Sequence, residues 1–286
     1  MSSAFSLLDW LVFGGYFAIL ALSSYILSSS KISSTREYFV SANSMPMLAV
    51  AISVLATSQS AATFLGVPEY SFTHDFTFIG FYLSALLAVI FVAYVLIPKF
   101  YEIQAVTVYE LLEKRYGDSA KKQAGVMFLI GRVLASGARL YIGSLAISMI
   151  IFGDITAVHI AISISILMLG ALAYTYFGGV KSVILSDIIQ AVTYVGAGIA
   201  VLVFLYYSLE NINILDSLNE HNKLKLLDTS IDGKFSIIGL LTGWLLLNIA
   251  AFGLDQDMTQ RVLSCKNEKE AAKSLIVSIL LTIPVV

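Results

Sequence analysis

Apolar runs of about twenty residues recur along this chain, near 7–28, 45–72, 76–97, 123–152, 156–177, 183–208 and 236–258, and an eighth begins near 272. A helix of about twenty apolar residues crosses the hydrocarbon core of a bilayer. Lipid offers backbone amides no hydrogen-bond partner, so spanning segments are helices or closed barrels, and runs of this length select helices. The pattern predicts an all-α polytopic membrane protein. Composition agrees: 58% of the 286 residues are hydrophobic and 13% are charged, against about 45–50% and about 25% in soluble domains. A net charge of −2 leaves no basic excess, so the lipid bilayer and not nucleic acid is the expected surrounding. The N-terminus, MSSAFSLLDW, lacks the basic stretch of a cleaved signal peptide, and the first run reads as a retained helix. The eighth run stops at Val286 inside a span, which reads as the front part of a longer protein.

Positive charge gives the expected orientation. With the N-terminus outside, twelve of the seventeen Lys and Arg fall in inner loops: Lys31 and Arg36; Lys99, Lys114, Arg115, Lys121 and Lys122; Lys181; Arg261, Lys266, Lys269 and Lys273. Only Lys223, Lys225 and Lys234 fall outside, and Arg132 and Arg139 lie within the fourth run. Residues 98–122 mix apolar and charged side chains and read as a short amphipathic helix on the cytoplasmic side, while the polar segment 209–235 reads as an outer loop. The single cysteine, Cys265, can make no internal disulfide. No nucleophile elbow, phosphate loop or metal-ligand spacing is present, and His74, His159 and His221 stand far apart, so the chain does not read as an enzyme.

The second run is the odd one. In ATSQSAATFLGVPE, residues 56–69, six of fourteen side chains are Thr, Ser, Gln or Glu. Thr57, Ser58, Gln59, Ser60 and Thr63, followed by Gly66 and Pro68, suit a helix broken inside the membrane. Such breaks expose carbonyl oxygens to cations and helix ends to solutes; a continuous helix using its hydroxyls between helices is the other reading. Asn248 and the stretch AAFGLDQDMTQR, with Gly253, Asp255, Gln256 and Asp257, form a weaker echo in the seventh run. In the fourth run Arg132, Ser136, Arg139 and Gly143 share a face. Arg132 can snorkel to the cytoplasmic surface, whereas Arg139, about two turns deeper, needs a protein or ligand partner. In the sixth run Asp187, Gln190 and Tyr194 share a face, and Asp187 also suits the positive end of its own helix.

Three stretches resemble the sodium:solute symporters, a family that includes sodium–sugar, –proline, –pantothenate and –sialic acid carriers. SVLATSQSAATFLGVP resembles the broken first helix of their core, AYTYFGGVKSVILSDIIQ their Gly-Gly signature with its following acidic residue, and GLDQDMTQRVLSCKNEKEAAKS their cytoplasmic turn after the seventh helix. The resemblance implies the inverted-repeat, leucine-transporter-like fold with one extra N-terminal helix. Residues 1–44 would hold that helix and its loop, 45–208 the first five-helix repeat, 209–235 an outer loop, and 236–286 the start of a second repeat, so that only the first repeat is complete.

By the same resemblance, backbone carbonyls at Ala56 and Gln59 bind Na⁺, Ser60, Thr63 and Asn248 face the solute, and Asp187 borders the Na⁺ release path. Arg139 loosely matches the arginine that holds the carboxylate in sialic acid carriers. Tyr82 and Ala251 stand where sugar carriers have an acidic ligand and an aromatic gate, which argues against a simple hexose. The implied function is Na⁺-coupled symport of a small solute, with an acidic one the first choice, by alternating access across the cell membrane. Na⁺ is the one cofactor expected, as the coupling ion, with no organic cofactor. The alternative is the membrane sensor region of a symporter-like signalling kinase.

Overall fold

In a computed structural model, residues 6–28, 34–175, 179–209 and 213–286 are described, and among them there are helices but no strands. The principal helices are α1 (Leu7–Ser28), α2 (Met47–Ser58), α3 (Ala61–Thr73), α4 (Phe76–Glu102), α5 (Asp118–Phe152), α6 (Ala157–Thr175), α7 (Gly179–Ser208), α8 (Gly243–Gly253), α9 (Gln256–Val262) and α10 (Glu268–Val285). By length and apolarity α4, α5 and α7 can each cross a membrane, and so can the bent pairs α2–α3 and 237–253 with α9. Their shape accords with a multi-pass membrane protein. The described apolar parts of α1 and α6 are helical where expected but shorter than a full span.

The buried core lies where α2, α4 and α10 meet, with Val50, Val54, Ala85, Val89, Leu275 and Ile279 almost fully enclosed. α7 packs on α2, and α8 lies along α4. Gly253, at the end of α8, sits so close to α4 that a Cβ there would come within 2.7 Å of Leu96 and 2.8 Å of Val92. Those residues belong to the π turn Val92–Leu96 of α4, which widens the helix at the contact. Gly179 has a positive φ of 58° and would place a Cβ 2.7 Å from the Tyr38 carbonyl. That double demand explains the second glycine of the Gly-Gly pair; Gly178 lies outside the described residues.

Two expectations need correction. Residues 98–122 are not one amphipathic helix: α4 runs on to Glu102, a separate turn of helix covers Glu110–Tyr116, and α5 starts at Asp118. The divide is Gly117, whose φ of 87° no α-helix accommodates. Nor do Gly66 and Pro68 form the break in the second run, because both lie inside α3. Pro68 stands exposed at the eighth position of α3, where its missing N–H costs the helix one backbone hydrogen bond without ending it.

The segments assigned to each side gather at separate ends. At one end Asn43 and Tyr101 donate to the 261–265 turn, and Gln256 bonds to the backbone of Val106 and Val108. At the other, Lys223 donates to the carbonyls of Phe72 and His74, and Tyr70, Phe78, Phe235 and Trp244 form a ring cluster.

Candidate functional site

The break between α2 and α3 consists of two residues. Thr57 and Ser58 turn their hydroxyls back onto the carbonyls of Ser53 (2.8 Å) and Leu55 (2.7 Å), competing with continuation of the helix. Gln59 is extended (φ −94°, ψ 149°), and its N–H closes α2 on Leu55 and Ala56. Ser60, also extended, opens α3 as its cap, its Oγ accepting the Thr63 N–H at 3.4 Å and lying 3.3 Å from Thr63 Oγ1. The two half-helices meet at 66°.

Among the described residues no N–H or O–H donates to the backbone carbonyls of Thr57, Ser58 or Gln59, and the Ala56 carbonyl accepts only the Gln59 N–H, at 3.3 Å. These oxygens form the negative end of α2, the donor set a hard cation takes. A Na⁺ ion fits their chemistry.

Gln59 is buried. Its Nε2 donates to Ser58 Oγ at 3.3 Å, and its Oε1 accepts from the Tyr194 hydroxyl of α7 at 3.4 Å. The Tyr82 side chain, from α4, neighbours the same carboxamide. Asn248 on α8 is 1% exposed, and its Nδ2 has no partner. An unpaired buried amide donor is costly, and the helix that carries it packs on the helix of Tyr82. Ala251, by contrast, is exposed.

Asp187 is held differently. Its Oδ2 accepts from Ser53 Oγ of α2 at 2.5 Å and from Arg261 Nε of α9 at 3.0 Å, and Arg261 Nε also reaches Ser53 Oγ at 3.1 Å. Both charged side chains are nearly buried. The partner of Asp187 is therefore a cation from another helix and not the end of its own helix, which begins eight residues earlier. Arg132 is not free to snorkel, since it pairs with Asp255 (3.6 Å) and Asp257. Asp255 in turn caps α9, and Gln256 bonds both ways to the backbone of Val106 and Val108. Tyr101 donates to the Cys265 carbonyl at 2.8 Å, Asn43 to that of Leu263, and Gln260 to that of Phe39. Behind this turn, burial pushes the Cys265 thiol up to about 12, and burial with the nearby Asp255 does the same for Tyr109. Among the described residues Arg139 makes no hydrogen bond or ion pair, and it is exposed. α3 packs along its helix.

The family's sequence profile matches residues 38–286 under the description sodium:solute symporter family. The chain belongs to the sodium:solute symporter family. Similar curated proteins include a putative sodium-dependent multivitamin transporter of Drosophila melanogaster (28% identical over 254 residues, 88% of this chain and 41% of that one). A sodium-coupled monocarboxylate transporter 2 of Bos taurus is 26% identical over 96% of this chain and 45% of its own length. A sodium/sialic acid symporter of Aliivibrio fischeri is 28% identical over 96% of this chain and 54% of its own. This symporter chain thus spans about half the length of the curated relatives it matches. A solved structure described as the substrate-bound outward-open state of a Na⁺-coupled sialic acid symporter matches with a TM-score of 0.87 and 25% identity, over 97% of this chain and 58% of that one. The fold is the leucine-transporter-like one.

The structure brings Ala56, Gln59, Ser60 and Thr63 to one break and sets Asp187 about a turn and a half below, beside Ser53. Among the described residues it leaves Arg139 without a partner and Asn248 buried with an idle donor. Sequence reasoning missed Arg261 and Ser53. An isolated serine in an apolar helix and an arginine four residues after Asp257 were the available signals, and neither names its partner.

Proposed function

We propose that this symporter chain carries the Na⁺ site and much of the solute site of a secondary active transporter in the cell membrane. Na⁺ is the coupling ion at the carbonyls of Ala56 and Gln59, and Ser60, Thr63, Asn248 and Arg139 face the solute. The observation that carries this reading is the row of carbonyls without donors at the α2–α3 break. The inverted-repeat division at 45–208 and 236–286 and an outside N-terminus belong to the same proposal. Symport follows by rocking of the repeats between an outward-open and an inward-open state.

Bonds tie residues 255–265 to α2, α4, α5 and α7 at one end. In this reading that is the cytoplasmic end, and ion release past Asp187 requires Arg261 to let go. An unpaired Arg139 in a span supports an acidic solute, as do relatives named for sialic acid and monocarboxylates.

The test is uptake by the full-length protein in proteoliposomes under a Na⁺ gradient, with sialic acid and short monocarboxylates as probes. Na⁺-driven accumulation of at least one is expected, and Asp187→Asn should lower turnover more than solute affinity. Arg139→Lys should weaken binding although it keeps the charge, because a lysine cannot form the two-pronged contact of a guanidinium with a carboxylate. Uptake that ignores the Na⁺ gradient overturns the proposal.

A further inference from the structure

We infer that Tyr194 is a positioning residue for Na⁺, acting through the Gln59 side chain to fix the carbonyls at the α2–α3 break; this rests on the Na⁺ site proposed above. Tyr194 touches both halves of the broken helix. Its hydroxyl donates to Gln59 Oε1 at 3.4 Å, at the first extended residue after α2. Its ring packs edge-on against Phe64 at 5.1 Å, in the first turn of α3. A break without regular hydrogen bonds needs something else to fix its torsions, because a carbonyl oxygen swings with ψ. At Gln59 the backbone N–H is tied to α2, but the carbonyl has no donor. The side chain is the remaining handle.

That handle is held on two sides. Nε2 is on Ser58 Oγ and Oε1 on the Tyr194 hydroxyl, and the carboxamide is buried. Tyr194 itself stands on α7, the helix that carries Asp187, two turns on from it. Asp187 meets α2 at Ser53, and Tyr194 meets its end at Gln59. α7 therefore grips α2 above and below the carbonyl of Ala56. A cation site made of carbonyls depends on their spacing, and the spacing of Ala56 and Gln59 is set between these two contacts.

The experiment is saturation binding of ²²Na⁺ to the purified full-length protein. Tyr194→Phe keeps the ring on Phe64 and removes only the hydroxyl, and Gln59→Met removes the carboxamide but leaves the backbone carbonyl. Each is expected to weaken Na⁺ binding about five- to tenfold, the effect of one lost hydrogen bond. Because one acts through the other, the double variant should be no weaker than the worse single. A merely structural role would lower the yield of folded protein without moving the Na⁺ affinity of what remains. Na⁺ affinity of Tyr194→Phe within twofold of wild type, or single effects that multiply in the double variant, overturns the inference alone. A wild-type protein with no saturable Na⁺ binding overturns the site reading, and this inference with it.

Discussion

At Gln59–Ser60 the chain bends by 66°, and near Leu254–Asp255 it bends by 58°. Both breaks strand the polar groups of two helix ends, yet those groups meet different fates. At the first, the carbonyls of Thr57, Ser58 and Gln59 have no donor, and the hydroxyls of Ser60 and Thr63 find only each other and a cap. At the second, Asp255 caps α9 and pairs with Arg132, Gln256 ties into Val106 and Val108, and Arg261 reaches Asp187. The lesson is that a helix break in lipid has two uses. Polar groups left vacant are a place for a ligand, and polar groups filled by distant protein are a joint that holds two parts together until something pulls it apart.

The joint should be the more fragile of the two to mutation. Asp187→Asn leaves the Arg261 guanidinium nearly buried and without its counter-charge. Breaking a buried pair by removing one member costs ~3–5 kcal/mol, so a large drop in thermal midpoint is expected in detergent. Asp187→Asn combined with Arg261→Gln should recover part of the loss, because no lone charge remains buried. A single variant as stable as wild type would mean that the pair is not part of the joint.

Arg132→Gln strikes the same joint at a more exposed place and should cost about 1–2 kcal/mol. Its sharper readout is Cys265, which is fully buried behind the turn. A thiol reagent reaches it only through local opening, whose population rises about tenfold for each 1.4 kcal/mol lost. Peptide-resolved labelling of Cys265 should therefore speed up about tenfold in Arg132→Gln. An unchanged rate would show that the turn opens without breaking this ion pair.

The contrast between the breaks also marks what the sequence could reveal. The first break was legible because its cause is local: the hydroxyls of Thr57 and Ser58 bond within one turn, and Ser60 caps within three residues. Its neighbours misled only at Gly66 and Pro68, because α3 runs on through both weak helix formers. The second was legible as an interruption but not as a joint. Arg261 and Asp187 are 74 residues apart, and Tyr101, Asn43 and Gln260 bond to backbone carbonyls, which leave no mark in a sequence. Arg132 was read as reaching for the surface because its acceptors lie on another helix. Depth along a helix was readable for Arg139, but the neighbours it faces were not.

Titration offers a milder challenge to the joint. An ordinary thiol ionises near ~8.5, and burial raises Cys265 to about 12. The folded state thus keeps a proton that the opened state releases. Its contribution is fully present below about pH 8.5 and falls by at most about 1.4 kcal/mol per unit as pH rises from there through the folded value. Wild-type protein should lose stability between pH 8.5 and 10 faster than Cys265→Ala, measured as thermal midpoint against pH. Parallel curves would show that the turn is open enough for the thiol to titrate normally.

The smallest expected effect separates structure from ligand at the vacant break. Ser60 is a helix cap, and replacing a capping serine by alanine costs about 1 kcal/mol, whereas glycine costs only a few tenths. If capping is its whole role, Ser60→Ala should lower the thermal midpoint by a few degrees, Ser60→Gly should barely move it, and solute affinity should follow neither. If its hydroxyl also meets the solute, both variants lose the same contact. Their solute affinities should then fall together, about fivefold for one neutral hydrogen bond, although their stabilities differ. Solute affinity in the full-length protein, measured at saturating Na⁺ beside the thermal midpoint, tells the two apart. A stability loss confined to Ser60→Ala, with affinity intact in both variants, would make Ser60 another filled position, and the vacancy at this break would then rest on its carbonyls alone.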